Sequence, residues 1–147
     1  MRLSTKGHYG MHAMMDLATR VGEGAVMLRD LCDIHGFSEK YLEQLLRALR
    51  QSGMIESVRG AKGGYWLAKA PDDITVLEIV EALEGELHQL PSKCKSDCVR
   101  SDNCAMLQTW HKATEATREV LSAVTLGDLI RRQAEMDKEK SPHDYSI

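Results

Sequence analysis

No apolar run in this chain approaches the roughly 18 residues that a membrane-spanning helix requires. Its opening residues, Met1-Arg-Leu-Ser-Thr-Lys-Gly-His-Tyr9, contain no apolar segment of the kind that starts a secretory leader. Both absences predict a soluble, cytoplasmic protein with no membrane partner. There are no paired catalytic carboxylates and no nucleophile set beside a base, so an enzyme is not expected. No internal repeat is visible. Positive charge is not in excess either: 19 Lys and Arg stand against 22 Asp and Glu, a net charge of −3, which excludes a uniformly basic nucleic-acid binder. Cysteine is scarce, with four in 147 residues. Three of the four, Cys94, Cys98 and Cys104, nevertheless fall within eleven residues.

Those three thiols lie in Ser92-Lys-Cys-Lys-Ser-Asp-Cys-Val-Arg-Ser-Asp-Asn-Cys104, a stretch with almost nothing apolar to build a core around. Burial cannot order so polar a loop. Thiolates bind soft and borderline metals, and in a reducing compartment clustered cysteines point to metal or redox chemistry rather than to a structural disulfide. One exposed disulfide with a spare thiol is the plain alternative. The fourth cysteine, Cys32, lies one turn after Leu28 on an apolar stripe and reads as a small buried side chain.

The net charge hides a split. Residues 1–69 carry ten Lys and Arg against seven Asp and Glu, or +3, whereas residues 70–147 carry nine against fifteen, or −6. A basic front half permits a local DNA-facing surface. Within it, Met11, Met14, Met15, Leu17, Ala18 and Val21 recur at helical spacing from Tyr9 to Val21, and Gly22-Glu-Gly24 then stops the helix. A second helix runs from Leu28 to His35 and ends at Gly36. Ser38 suits the N-cap of a third, which reaches Ser52 before Gly53. Two helices joined by a short turn containing glycine outline a helix-turn-helix. In the third helix Leu42, Leu45, Leu46 and Leu49 form one stripe, while Lys40, Tyr41, Gln44 and Arg47 project opposite, where a recognition helix meets base edges. A solvated amphipathic helix has the same pattern.

The segment that follows separates the two readings. Met54-Ile-Glu-Ser-Val58 and Tyr65-Trp-Leu-Ala68 read as strands flanking Arg59-Gly-Ala-Lys-Gly-Gly64, so Arg59 and Lys62 place positive charge at a glycine-rich tip beside Gly60. A recognition helix followed by a basic hairpin is a winged helix. A nucleotide-cradling loop would need Gly-x-x-x-x-Gly-Lys-Ser/Thr and a helix after it, and neither is present. The chain is thus expected to be mainly α with a small β wing: a winged helix-turn-helix DNA-binding domain over 1–84, a cysteine loop and long dimerisation helix over 85–134, and a disordered tail over 135–147. Pro71-Asp-Asp73 opens a linker into a helix from Val76 to Leu83 that Gly85 closes. From Ala105 to Val124, Leu107, Trp110, Thr114, Thr117, Leu121 and Val124 are spaced three and four apart, a heptad-like seam. The seam predicts a homodimer and twofold-symmetric DNA sites; packing against the first helix is the other reading.

In Met1-Arg-Leu-Ser-Thr-Lys-Gly7, Tyr41-Leu-Glu-Gln-Leu45, Ser57-Val-Arg-Gly60, Gly63-Gly-Tyr65, the three-cysteine loop and Thr125-Leu-Gly-Asp-Leu129, the chain resembles the winged-helix iron–sulfur regulators typified by IscR and NsrR. The likeness covers residues 1 to about 133, and the recognition helix is more similar to that of the cluster regulator. The resemblance implies a homodimeric transcription factor on near-palindromic double-stranded promoter DNA, controlled by an iron–sulfur cluster. It implies a 2Fe–2S cluster first and a 4Fe–4S cluster second, with Cys94, Cys98 and Cys104 as ligands. It also places Ser38, Tyr41 and Gln44 at the major groove and Arg59 with Gly60 at the wing contact. One departure is clear: the cluster regulator has a histidine three residues after its last cysteine, where this chain has Leu107. The fourth ligand is then His8 or His12, one turn apart on the first helix and offered to the second copy, or His111, or a small molecule. A structural zinc site on the same thiolates with one His is the alternative to the cluster.

Overall fold

A computed structural model describes residues 4–87 and 104–140. Six α-helices and one hairpin occur among them. Helix α1 spans Thr5–Thr19, α2 Leu28–His35 and α3 Glu39–Gln51; strands β1 (Ile55–Val58) and β2 (Gly64–Leu67) follow; then come a 3-10 turn at Pro71–Asp73, α4 (Val76–Glu84), α5 (Ala105–Ser122) and α6 (Leu126–Lys140). The winged helix-turn-helix is therefore present. No helix among the described residues is long and apolar enough to cross a membrane.

Helix α1 starts earlier than its apolar spacing indicates because Ser4 caps it, its hydroxyl accepting from the Lys6 amide at 3.1 Å. It stops at Thr19, so Val21 lies outside it and is exposed. Glu84, at the end of α4, accepts from the Gly7 amide at 2.9 Å and from the Ser4 hydroxyl, which ties the start of α1 to α4. The two helices also touch closely: a Cβ on Gly10 would lie 2.3 Å from a Leu83 methyl. A Cβ would fit at that crossing only if Leu83 moved.

The stripe on α3 is the centre of the core. Leu42, Leu46 and Leu49 are fully buried together with Met14, Leu17, Leu31, Ile55, Ile74 and Ile79. Cys32 is buried in the same cluster, and its burial pushes the thiol pKa up, which leaves it protonated and inert. Between α2 and α3 the chain reverses at Gly36, whose φ of +67° is left-handed and closes α2 without strain.

The hairpin pairs Ile55 with Leu67 through Val58 with Gly64, antiparallel. Val26 adds a one-residue third edge, exchanging hydrogen bonds of 2.9 and 2.8 Å with Tyr65. Its carbonyl passes so close that a Cβ on Gly64 would sit 2.3 Å from it. This contact fixes the wing against the helical body.

The tail expected from residue 135 begins as helix. Residues up to Lys140 belong to α6, and of this tail 141–147 lie outside the described residues. Its start is capped by Thr125 and Asp128, which exchange side-chain and amide hydrogen bonds of 3.0 and 3.1 Å. Leu126 is fully buried in the common core, with Ile130 packed against it. The linker at Pro71–Asp73 is likewise structured, and Asp72 pairs with Arg131 of α6 at 2.9 Å. These caps are made by polar side chains, so a search for apolar periodicity passes over them.

Candidate nucleic-acid interface and cysteine loop

The N-terminus of α3 is built by Ser38, whose hydroxyl accepts from the Tyr41 amide at 3.3 Å. With that cap in place Lys40 and Gln44 are exposed, Tyr41 is half-buried, and Arg47 points to solvent within 4.0 Å of Glu43. The four leucines are all on the opposite side. The sequence-predicted reading face is thus assembled as one polar surface on the outer side of α3.

Between α3 and the wing lies a cleft of about 550 Å³ whose lining includes Arg47, Arg50 and Arg59 together with Ser57 and Gly60. Arg50 was not singled out by the pattern of α3, yet its guanidinium donates to the Ser57 hydroxyl at 2.9 Å and links the last turn of α3 to β1. The signal available in the sequence was its position three residues after Arg47. At the wing tip, Gly60 has φ +121°, and a Cβ on Gly63 would lie 2.4 Å from the Val58 carbonyl. Both positions need glycine to keep the turn this tight. Arg59 and Lys62 are exposed there, and Arg59 has no ion pair among the described residues. Three guanidinium groups converging on one cleft, next to exposed hydrogen-bonding side chains, can hold a phosphate backbone while α3 meets base edges.

A second constellation lies on α1. His8 and His12 are stacked edge to face with ring centroids 4.6 Å apart, and His12 lies 5.1 Å from His35 at the end of α2. Burial holds the His12 pKa below the ordinary imidazole value, with His8 and His35 adding to the effect and Asp16 opposing it. A neutral imidazole keeps the lone pair that a metal needs.

The cysteine loop is described only at its two ends. Cys94 and Cys98 lie outside the described residues. Cys104 is half-buried at the N-cap of α5, where its sulfur makes no capping hydrogen bond. Before the loop, the Leu87 amide donates to Glu81 at 3.4 Å, and Glu81 is also paired with Arg118 of α5. The described chain thus ends at Leu87 beside α4 and resumes at Cys104, the N-cap of α5. His111 is on α5 as well, two turns after Cys104 and about 10 Å along the axis, so the two share a side of the helix. Among the described residues, no three His, Cys, Asp or Glu side chains converge on a metal. The donor set fits an iron–sulfur cluster in its chemistry, three thiolates with an imidazole to complete it, and Cys104 is the member whose sulfur is placed and uncommitted.

Helix α5 has no buried residue. Trp110 is 57% exposed and Val120 64% exposed, while Leu107, Thr114, Thr117, Leu121 and Val124 are half-buried along the seam. Within the chain α5 packs on α4, bonded through Arg118 and Glu81.

Comparison with known proteins agrees with this geometry. Residues 3–132 match the Rrf2 family, described as iron-dependent transcriptional regulators. The transcriptional regulator CymR of Bacillus subtilis is 39% identical over 129 residues, covering 88% of this chain and 89% of that protein. Its solved structure, described as that of the global cysteine regulator, superposes with a TM-score of 0.76 over 90% of this chain and 98% of its own. IscR of Klebsiella pneumoniae is 35% identical over 145 residues, 99% of this chain and 89% of that protein. A solved T. potens IscR is 38% identical with a TM-score of 0.73, covering 99% of this chain and 94% of its own.

Proposed function

The chain belongs to the Rrf2 family of transcriptional regulators, and from that premise we propose a homodimeric promoter-binding protein whose DNA affinity is set by an iron–sulfur cluster held by Cys94, Cys98 and Cys104. The observation that carries this reading is the three-cysteine loop ending at the N-cap of α5, with an uncommitted thiol at Cys104, in a fold otherwise built to bind DNA.

Each part of the chain then has a task. Ser38, Lys40, Tyr41, Gln44 and Arg47 present the outer side of α3 to the major groove, and Arg59, Gly60 and Lys62 meet the backbone or minor groove from the wing. The two copies pair through the seam of α5, which sets the spacing of the two recognition helices and calls for a twofold operator. A bound cluster supplies a centre that is sensitive to oxidation and to ligand loss, with 2Fe–2S favoured over 4Fe–4S. Cys104 fastens that centre to the first turn of α5, and therefore to the dimer interface. His12, neutral and part-buried on α1, is the first choice for the remaining ligand, donated to the second copy; His8 and His111 follow. Control of DNA binding requires only that the loaded and empty forms differ in affinity.

The likeness to a global cysteine regulator favours a second reading, in which the same DNA-binding dimer works without a cluster, its thiolates holding structural zinc or no metal. Absorption spectra with iron, sulfide and zinc counts on protein purified without oxygen separate the two. Equal iron and sulfide with visible charge-transfer bands, lost in Cys94→Ala, support the cluster. A colourless protein carrying zinc or no metal removes it and leaves the DNA-binding assignment standing.

A further inference from the structure

We propose that His35, held by Asp16, is a positioning residue that couples the imidazole face of α1 to the DNA-reading end of α3. His35 is the last residue of α2, and its Nε2 is hydrogen-bonded to the carboxylate of Asp16, one turn beyond His12 on α1. From there an unbroken row of rings crosses the fold. His35 lies 5.1 Å from His12 on one side and stacks on Phe37 on the other, at 4.9 Å and 16°. Phe37, in the turn between α2 and α3, stacks on Tyr9 at 4.0 Å and 23°. Tyr9 meets Tyr41 edge-on at 6.0 Å, and Tyr41 belongs to the first turn of α3, among the residues assigned above to the proposed major-groove face.

The row has properties that ordinary core packing does not supply. Its rings come from α1 (His12 and Tyr9), the end of α2, the α2–α3 turn and α3, the parts whose mutual placement fixes how a recognition helix is presented. Stacked rings have preferred offsets and angles, so tilting one ring shifts the optimum of the next. Tyr9, Phe37 and Tyr41 pack against the apolar core beneath them, and the row continues from Phe37 to the imidazoles of His35 and His12. A change at His12, such as bonding to a metal centre, must alter its contact with His35. The carboxylate of Asp16 keeps His35 from relaxing by simple rotation. The turn at Phe37 and the start of α3 are next in line.

For its signal this inference rests on His12 as a contact of the cluster, but its test does not need the cluster. The affinity of the full-length protein for a DNA fragment, selected by the wild-type protein from a random-sequence library, is measured at fixed salt for wild type, His12→Ala, Phe37→Leu and the double variant. His12→Ala is expected to change affinity roughly fivefold or more, the lower end of ordinary coupling between sites. In the Phe37→Leu background the same change should fall below about twofold, a non-additivity that marks an energetic link. His35→Gln, which keeps a side-chain donor for Asp16 but removes the ring, serves as an independent interruption and should behave like Phe37→Leu. A purely structural role for Phe37 would lower affinity by the same factor with His or Ala at position 12, and that additivity overturns the proposal. No effect of His12→Ala in the wild-type background overturns it as well. A colourless, iron-free wild-type protein defeats the cluster reading alone, since the cycle measured on that same protein still decides the coupling.

Discussion

Arg59→Ala tests the wing most directly, because Arg59 is exposed at the tip and has no ion pair among the described residues. Its charge is therefore open to a phosphate with no carboxylate competing, whereas Arg47 lies within 4.0 Å of Glu43; Arg50 keeps its charge while donating to the neutral Ser57 hydroxyl. A dimer presents two copies of Arg59. Each phosphate contact contributes about −0.9 to the slope of log affinity against log salt, so removing both should make that slope shallower by about 1.8. Over a fourfold rise in salt, from about 50 to about 200 mM, the wild type should then lose about twelvefold more affinity than the variant. Fluorescence anisotropy on a labelled duplex across that range gives both slopes. Folding stability should stay within about 0.5 kcal/mol, since nothing in the core touches this side chain. Weaker binding with an unchanged slope would refute the assignment of Arg59 to the phosphate backbone, and unchanged affinity and slope would remove the wing from the interface.

Leu46→Ala deletes a fully buried side chain at the centre of the core and should cost about 2–5 kcal/mol in urea unfolding. Trp110→Glu puts a charge on the exposed seam of α5, and sedimentation should show dimers converted to monomers at micromolar concentration with helix content retained. Two caps give the acid response. The Thr75 amide holds the Glu78 carboxyl below its ordinary value of 4.5, and the Thr125 amide with Arg131 pulls Asp128 down to about 2. Both groups are more acidic folded than unfolded, so their stabilisation is present above the unfolded values and is lost as pH falls through the folded ones. Thermal unfolding midpoints should therefore drop progressively below about pH 4.5, and Glu78→Gln and Asp128→Asn should flatten that acid limb.

The helix-turn-helix was legible because its signals are local. The four leucines of α3, the Ser38 cap, Gly36 and the basic glycine-rich turn each report on a few neighbouring residues. Helix α6 was legible only in part. Its outer face is polar, and the contacts that hold it, Leu126 in the core and Arg131 with Asp72, join residues far apart in sequence. The Arg50–Ser57 link and the row of rings from His12 to Tyr41 depend on the same long-range placement. The seam of α5 reads equally well as an intramolecular stripe or as an interface until its neighbours are known, and within the chain α5 is paired with α4 through Arg118 and Glu81. The thiols of the loop were the plainest chemical signal in the sequence, because chemistry at that density needs no fold to be recognised.

The central claim is that a cluster on Cys94, Cys98 and Cys104 governs DNA affinity. The measurement that addresses it is the affinity of one protein preparation for a selected duplex, at fixed salt, before and after its iron is removed with a chelator under anaerobic conditions. A change of roughly fivefold or more that is reversed on rebuilding the cluster is the predicted result. Identical affinities in an iron-loaded and an iron-free dimer would contradict it.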